Sequence, residues 1–200
     1  MESKVKLVEQ LFARLESEIT TFKSETKIQC SSGCGKCCTT PNIDASPLEF
    51  LPWALHLFIE GKAESTLEAI STKTDSSCFL YQPNSISDNI NGTCSDYHYR
   101  GLICRLFGYA GTKDKNGKSS IVTCSLIKEN QQENYNNALE AINKGLYIPL
   151  FTDYYMQLFQ IDNRLAVIKV PINQAFKIAI EEVLHYYAYR PFLGDLKTPA

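Results

Sequence analysis

The first hydrophobic pattern in the chain has the period of an α-helix. Apolar residues recur at alternating gaps of three and four positions, which places them on one face of a helix. They are Val5, Val8, Phe12, Leu15, Ile19 and Phe22. The pattern predicts an amphipathic helix over residues 3–23 whose apolar stripe faces a hydrophobic core.

A second helix is predicted to begin after Ser46. Ser46 is a favoured N-cap, Pro47 suits the first helical position, and Glu49 completes a capping box. The helix should run to about residue 60 and end at Gly61. Apolar residues cover almost its whole circumference, so we expect it to be buried. A further short helix is predicted near residues 64–71.

The middle of the chain is predicted to contain a long loop and a β-hairpin. Residues 81–94 are rich in Asn, Ser, Asp and Gly, a composition typical of loops. Two strands are predicted over 104–111 and 118–127, joined by a tight turn at Asn116-Gly117. This hairpin would bring Cys104 near Cys124.

The final third has helical periodicity again. Helices are predicted over about 128–144, 152–161 and 172–189, and the pattern of residues 163–171 fits either a strand or a helical turn. No repeat or linker divides the chain. We therefore predict an α+β, mainly helical fold and a single domain over residues 1–200. A cysteine-rich region (30–125) would contain the hairpin, with a helix before it and a helical C-terminal extension (126–200).

Composition and charge narrow the range of functions. The 200 residues are 44% hydrophobic and 21% charged, as in folded globular proteins. Twenty Lys and Arg balance 22 Asp and Glu without a basic cluster, so no nucleic-acid partner is predicted. No apolar run could span a membrane, and the N-terminal segment lacks the features of a secretory signal. We expect a cytoplasmic protein with reduced thiols, and no particular protein partner is indicated.

The strongest chemical signal is a set of eight cysteines, four of them within the nine residues "CSSGCGKCC". The set is Cys30, Cys34, Cys37, Cys38, Cys78, Cys94, Cys104 and Cys124. Four disulfides would require an oxidising compartment, which the N-terminal segment does not indicate. Buried, inert thiols would not cluster around Gly33, Gly35 and Lys36, which describe an exposed turn.

A metal centre explains the spacing best. The pair Cys34 and Cys37 can direct two sulfurs at one ion, as in zinc sites with Zn–S bonds of about 2.3 Å and in iron–sulfur sites. The adjacent side chains of Cys37 and Cys38 should diverge, so they would serve different centres or different corners of one large cluster. Two four-sulfur centres, or one cluster with spare thiols, are both compatible with this arrangement. An iron–sulfur cluster, of the 4Fe-4S type, tolerates adjacent cysteines better than a zinc ion.

Other residues near the cysteines have candidate roles. Thiolate centres carry negative charge, which Lys36, Arg100 and Arg105 could offset; ordinary solvated charges are the alternative. His98 is the one histidine placed as a possible ligand, although a loop histidine fits as well. The spacing of Cys30, Cys34 and Cys37 also matches radical S-adenosylmethionine enzymes, but no succession of strand-helix units supports that fold.

Two separated motifs resemble the bacterial CxxCxxCC cysteine-cluster family, described as zinc- or iron-chelating domains and often labelled iron–sulfur proteins. The matching residues are Cys34, Cys37 and Cys38, followed by Cys94, Tyr97, Arg100, Cys104, Arg105 and Phe107. The resemblance covers about residues 30–125. It implies zinc or iron–sulfur binding, with Tyr97, Arg100 and Arg105 as residues near the cofactor. A related domain in flagellin lysine N-methylases makes a metal-dependent enzyme, acting by methyl transfer or redox chemistry, the alternative.

Two positions depart from the family pattern. Three residues rather than two separate Cys30 from Cys34, and Gly101 occupies a position where the family usually has proline. The first departure leaves open whether Cys30 serves the same centre as Cys34. The second should loosen a turn and leave metal ligation intact.

Overall fold

The computed structural model describes residues 1–41, 43–85 and 88–192. Its helices are α1 (Glu2–Thr26), α2 (Lys36–Thr39), α3 (Leu51–Ile59), α4 (Ala63–Thr72), α5 (Leu102–Leu106), α6 (Ser125–Asn130), α7 (Gln132–Asn143), α8 (Phe151–Ile161), α9 (Asn163–Ala166) and α10 (Ile172–Tyr187). Its strands are β1 (Asp44–Ala45), β2 (Tyr81–Ser85), β3 (Asp88–Cys94), β4 (Ala110–Lys113), β5 (Ser119–Val122) and β6 (Val170–Pro171). This mainly helical α+β fold confirms the predicted class. Residues 86, 87 and 193–200, which the predicted loop and C-terminal extension include, lie outside the described residues.

Helix α1 buries the apolar stripe that the sequence predicts. Its core-facing side chains are Val5, Val8, Leu11, Phe12, Leu15, Ile19 and Phe22. The helix ends at Lys27, which has a left-handed conformation (φ 58°) and donates its N–H to the Lys23 carbonyl at 3.0 Å. Because such a conformation cannot continue a helix, the chain turns here and enters the cysteine-rich loop.

The segment after Ser46 forms a short 3-10 helix (Pro47–Phe50) that continues into α3. Glu49 Oε1 accepts a hydrogen bond from the Ser46 N–H at 2.9 Å, which is the glutamate half of the predicted capping box. The rings of Phe50 and Trp53 pack on Phe176 of α10, with centroids 4.2 and 4.9 Å apart. These contacts place α3 against α10 in the hydrophobic core, and the chain leaves α3 at Gly61 (φ 67°), as predicted.

The strands pair as small antiparallel units, and two of these differ from the sequence predictions. Residues 81–94 were expected to be a loop, but β2 and β3 form a hairpin in which Tyr81 pairs with Cys94. The hairpin packs against the cysteine-rich loop, where the Gly92 N–H donates to the Gly33 carbonyl. Strand β1 pairs with β6, so residues 163–171 contain both a helical turn (α9) and a strand.

The second hairpin, β4 and β5, is confirmed in a shorter form. Asp114 Oδ1 accepts the N–H groups of Asn116 and Lys118 at 2.8 and 2.9 Å and so organises the connecting turn. Residues 104–106 are helical and not part of the hairpin, since Cys104 lies on α5. None of the helices among the described residues combines the length and apolar character needed to cross a membrane.

Replacing Gly101 with alanine is expected to destabilise the fold by about 1–3 kcal/mol, as overpacking of a core does. A Cβ atom at this position would lie 2.6 Å from Phe50 Cζ, and the fully buried Phe50 ring is held against Phe176. The backbone of Gly101 (φ −68°) is one that any residue, including proline, can adopt. The destabilisation would therefore come only from the clash of the added Cβ atom with Phe50. Denaturant unfolding measures the effect.

The control for this prediction is a compensating change in the ring. If the clash with Phe50 is the cause, Phe50→Leu should be less harmful in the Gly101→Ala background than in the wild-type chain. Strictly additive effects of the two substitutions would contradict the explanation.

Candidate metal centre

The cysteine-rich loop folds around two glycines with left-handed backbone conformations. Gly33 and Gly35 have φ angles of 69° and 61°, which residues with a side chain rarely adopt. After Gly35 the chain forms the single helical turn α2, which carries Cys37 and Cys38. Consecutive residues on a helix project about 100° apart. Cys37 is accordingly exposed, while Cys38 is half-buried and packs against the core.

The loop lies directly on the β2–β3 hairpin. The Gly92 N–H donates to the Gly33 carbonyl at 2.8 Å. A Cβ atom on Gly92 would come within 2.3 Å of the Tyr81 ring, and one on Gly35 within 2.6 Å of it. The backbones can therefore approach this closely only because both positions are glycine.

Cys78 is fixed by hydrogen bonds on both sides. Its N–H donates to the Cys38 carbonyl at 2.8 Å. The Asn173 side chain, from α10, accepts from the Phe79 N–H and donates to the Ser77 carbonyl, both at 2.8 Å. The buried Cys78 thiol is thus held beside α2 by a residue almost a hundred positions later in the chain.

Cys94 and Cys104 are held by side chains of the 3-10 helix and α3. Cys94 ends β3, and two residues later Asp96 accepts a hydrogen bond from Trp53 Nε1 at 2.8 Å. Cys104 lies on α5, whose Ile103 N–H donates to Glu49 Oε2 at 3.0 Å. Both thiols are therefore anchored to the hydrophobic core through their neighbours.

Hydrogen bonds connect the segment around Cys30 with the segment that follows Cys124. The Cys30 N–H donates to the Tyr109 hydroxyl at 2.8 Å. The preceding residue, Gln29, exchanges two hydrogen bonds with Gln131, at 3.0 and 2.5 Å. Cys124 immediately precedes α6, and Gln131 follows that helix, so these contacts bring the start of the loop to α6.

Electrostatic interactions define a first thiol group, composed of Cys30, Cys34, Cys37 and Cys124. Cys30 and Cys37 are accessible to solvent, but the protein around them displaces part of their water and raises both pKa values, that of Cys37 to about 12. The charges of Cys34 and Cys124 raise the pKa of Cys30 further, and those of Cys30, Cys124, Cys38 and Cys34 raise that of Cys37. A nearby charge shifts the pKa of a group, so these four thiols lie in one region of the surface.

A second thiol group consists of Cys38, Cys78, Cys94 and Cys104. Burial is the main reason why the pKa of Cys104 is well above its usual value, and the charges of Cys78, Cys38 and Cys94 add to it. Burial raises the pKa of Cys78 to about 12 and that of Cys38 to about 11, again with neighbouring thiols contributing. Cys104 is accessible to solvent although protein surrounds it.

The two groups meet at the Cys37–Cys38 peptide bond. Cys38 also interacts electrostatically with Cys30, Cys34 and Cys37, so the groups are adjacent. The strand predicted for residues 104–106 is wrong, since they belong to the helix α5. The pKa of Cys104 responds to the charges of Cys78, Cys38 and Cys94, whereas the charge of Cys124 affects the pKa values of Cys30 and Cys37. Among the described residues, no three His, Cys, Asp or Glu side chains are placed so that they could hold a metal ion without adjustment.

Three residues that the family resemblance places near the cofactor lie together next to the thiols: Tyr97, Arg100 and Arg105. The Arg100 guanidinium stacks over the Tyr97 ring at 4.0 Å and lies 2.8 Å from Glu16 Oε1. Its charge lowers the pKa values of Cys30 and Cys94, although burial raises both overall, so Arg100 faces both thiol groups.

Arg105 is buried rather than solvated. Its guanidinium donates to the carbonyls of Arg100 and His98 at 3.0 and 2.5 Å and to Glu16 at 2.6 Å. It also lies over the Phe12 ring of α1 at 4.6 Å. The His98 ring packs edge-on against Tyr99.

Replacing Glu16 with glutamine is expected to destabilise the protein by about 1–2 kcal/mol at neutral pH. Removing one partner of a fully buried ion pair costs about 3–5 kcal/mol, but the Glu16 side chain is 38% exposed and partly screened. Burial opposes ionisation of Glu16, yet hydrogen bonds and charge from Arg100 and Arg105 outweigh it and lower its pKa below 4.5. Unfolding experiments as a function of pH measure the effect.

Because the folded-state pKa of Glu16 is lowered, its contribution is present above pH 4.5 and is lost as the pH falls through the lowered value. The difference between wild type and Glu16→Gln should therefore shrink in acid. Glu25→Gln, an exposed change on the same helix, is the matched control and should have little effect at either pH. A deficit of the Glu16 variant that stays constant down to acid pH would contradict the ion-pair explanation.

Several residues that organise the site were not identified from the sequence. Glu49 was recognised only as a helix cap, and Asn173, Tyr109 and Glu16 were not singled out at all. Each is far from the cysteines along the chain and makes its contact through tertiary packing, for which spacing carries no signal. The one general signal for such a residue is that a buried arginine needs a carboxylate partner.

A family model described as "Putative zinc- or iron-chelating domain" (CxxCxxCC) matches residues 29–137. The match covers more than half of the 200 residues and contains all eight cysteines. No curated protein and no solved structure matches the chain. The chain therefore belongs to this family of metal-chelating domains.

Proposed function

We propose that this member of the zinc- or iron-chelating family binds metal through two separate centres, each formed by four cysteine thiolates. The observation that supports the proposal is that the segment matching the zinc- or iron-chelating family contains all eight cysteines, whose thiols influence one another's pKa values in two sets of four. The first thiol group would provide Cys30, Cys34, Cys37 and Cys124, and the second would provide Cys38, Cys78, Cys94 and Cys104.

The donor set fits zinc or an iron–sulfur cluster. Both are held by four thiolates, and soft sulfur ligands favour them over magnesium or calcium. Four thiols in a reducing compartment such as the cytoplasm remain available for this chemistry. The glycines at positions 33 and 35 let the loop turn sharply enough for Cys30, Cys34 and Cys37 to share one centre.

An iron–sulfur cluster of the 4Fe-4S type is the better supported occupant. A cubane holds its four cysteines at separate corners, so it accommodates the adjacent Cys37 and Cys38 better than a tetrahedral zinc ion does. When bound, such a cluster would supply electron transfer, since four thiolates occupy the external position of each of its four irons.

Arg100 and Arg105 would offset the negative charge of the thiolates. Arg100 faces thiols of both groups, and its guanidinium is held in place by Tyr97 and Glu16. Arg105 fixes the Arg100 carbonyl and so supports the same segment. Positive charges near a cluster stabilise its reduced form, which carries more negative charge. Arg100 and Arg105 would therefore also raise its reduction potential.

Anaerobic purification followed by iron, zinc and sulfide analysis tests the proposal. We expect a brown protein with iron and sulfide in equal amounts. The Cys34→Ser and Cys94→Ser variants should each contain less iron and sulfide per chain. A colourless protein with two zinc ions per chain would replace the cluster by zinc and retain the two centres. A reduced protein that binds neither metal would overturn the proposed function.

A further inference from the structure

We propose that a cleft beside helix α1, here called the α1 cleft, binds a small organic molecule that combines one carboxylate with an apolar or aromatic body. The cleft lies between α1 and residues 97–100 and has a volume of about 410 Å³, a size typical of ligand sites. None of its lining residues is a cysteine, so the proposal goes beyond metal binding and does not rest on it.

The walls of the α1 cleft are mostly apolar. Phe12 and Ala13 of α1 and Pro52 of α3 line it, together with the rings of Tyr97 and Tyr99. Phe12 and Pro52 are buried, whereas Ala13 and Tyr97 are open to solvent. Sites for small molecules combine walls of this kind with a few polar groups that fix the orientation of the ligand. The body of the ligand would therefore be apolar or aromatic.

Two guanidinium groups in the α1 cleft share one carboxylate oxygen. Arg100 Nη2 and Arg105 Nη1 lie 2.8 and 2.6 Å from Glu16 Oε1. Arg105 is fully engaged, because it also donates to the carbonyls of Arg100 and His98. Buried charges are normally paired, and here two positive charges have a single negative charge between them. A carboxylate on the ligand would supply the second negative charge.

Arg100 is the guanidinium that would bind this carboxylate. Its side chain is 15% exposed, its Nε atom is buried, and none of the described residues accepts a hydrogen bond from Nε. A buried donor that the chain does not satisfy calls for another partner. The N–H groups of a guanidinium match the two oxygens of a carboxylate, and the Tyr97 ring holds its plane at 4.0 Å.

Acidic residues near Tyr99 restrict the ligand to a single carboxylate. Glu9 lines the cleft about two helical turns before Glu16, which is about 10 Å along α1. Burial raises the pKa of Tyr99, and the charges of Glu9, Asp96 and Glu60 raise it further. A second anionic group near Tyr99 would be repelled by these side chains.

Titration of the reduced full-length protein with matched probes, followed by backbone-amide NMR, tests the proposal. The probes are phenylacetate and indole-3-acetate, their amine counterparts 2-phenylethylamine and tryptamine, the dicarboxylate 1,4-phenylenediacetate, and inorganic phosphate. We expect the two monocarboxylates to bind at least about ten times more tightly than the other four probes, since paired hydrogen bonds to arginine select a carboxylate. The signals of residues 12, 13 and 97–100 should shift.

Three results of this titration would overturn the proposal. The first is a lack of saturable binding by both monocarboxylates. The second is binding of the amines as tightly as the acids, which would make the cleft a site for organic cations. The third is binding of phosphate as tightly as phenylacetate, which would mean that the apolar walls contribute nothing.

A first pair of variants tests the role of Arg100. Arg100→Lys keeps the positive charge but removes the paired N–H groups, so it should weaken phenylacetate binding about ten-fold. Arg190 also lies over a tyrosine ring, that of Tyr186 at 4.5 Å, but does not line the cleft. Arg190→Lys is therefore the matched control and should leave the affinity unchanged.

A second pair of variants locates the binding independently of Arg100. Ala13→Leu fills the cleft from an exposed position of α1 and should abolish phenylacetate binding without lowering the melting temperature. Thr21→Leu, an exposed change on the same helix outside the cleft, is the control. Unchanged phenylacetate affinity in Ala13→Leu would overturn the site. The iron, zinc and sulfide content of the same preparations tests the proposed function separately.

Discussion

Raising the pH from 7 to 8 is expected to strengthen zinc binding to each four-thiol centre by up to about 10⁴-fold. Burial and neighbouring thiols raise the pKa of Cys37 and Cys78 to about 12 and that of Cys38 to about 11. These thiols are therefore protonated at neutral pH, and each must release its proton to bind the metal. Four released protons give a factor of about ten each per pH unit.

Competition with a chelator of known pH dependence measures this slope directly, and calorimetry in buffers of different ionisation enthalpy counts the released protons. The Cys37→Ser variant should lower the slope of the first centre by about one proton, whereas the second centre should keep its own. Both centres would lose support if affinity rose by only about ten-fold per pH unit, because that slope corresponds to a single thiol.

The local elements could be predicted from the sequence, because their signals are local. The apolar stripe of α1 and the Ser46–Glu49 cap of the following helix depend on residues within a few positions of one another. The β2–β3 hairpin had no such signal. Its segment lacks alternating apolar residues, and its partner is the backbone of the cysteine-rich loop, reached through Gly33 and Gly92. A tertiary contact of this kind leaves no periodic pattern in the sequence.

The set of eight cysteines could also be recognised from the sequence, but their division could not. The side chains of adjacent residues point in different directions, which suggests that Cys37 and Cys38 serve different centres or different corners of one large cluster. Which later thiols join each of them depends on whether residues 104–106 form a strand or a helix. The strand prediction paired Cys104 with Cys124, whereas Cys104 lies on the helix α5 and its pKa responds to the charges of Cys38 and Cys78.

The environment of Arg105 also depends on whether residues 104–106 form a strand or a helix. A cation between two apolar residues of a strand has one face in solvent, whereas on a five-residue helix packed against α1 it can be enclosed. The enclosure requires a carboxylate, and Glu16 provides it from a helix that carries no family motif. The cysteine-rich region is therefore supported by residues outside it, including Glu16 on α1 and Asn173 on α10.

Replacing Glu49 with alanine is expected to destabilise the protein by about 2–6 kcal/mol. The fully buried Glu49 carboxylate accepts the N–H groups of Ser46 and Ile103 at 2.9 and 3.0 Å, and Lys169 Nζ lies 3.8 Å from Oε1. Each buried donor left without a partner costs about 1–3 kcal/mol. The change also removes the support of α5, so we expect the variant to bind less metal at the second thiol group. Chemical denaturation and metal analysis measure the two effects.

The Glu49→Gln variant separates charge from hydrogen bonding. Burial raises the pKa of Glu49 above 4.5, although the hydrogen bonds from Ser46 and Ile103 and the charge of Lys169 oppose this. A raised folded-state pKa means that the stabilisation is complete below pH 4.5 and is lost as the pH rises through the raised value. The glutamine variant should lack this pH dependence while retaining an acceptor oxygen. Glu60→Ala, an exposed change just after α3, is the control, and equal stability of Glu49→Ala and Glu60→Ala would show that Glu49 does not anchor α5.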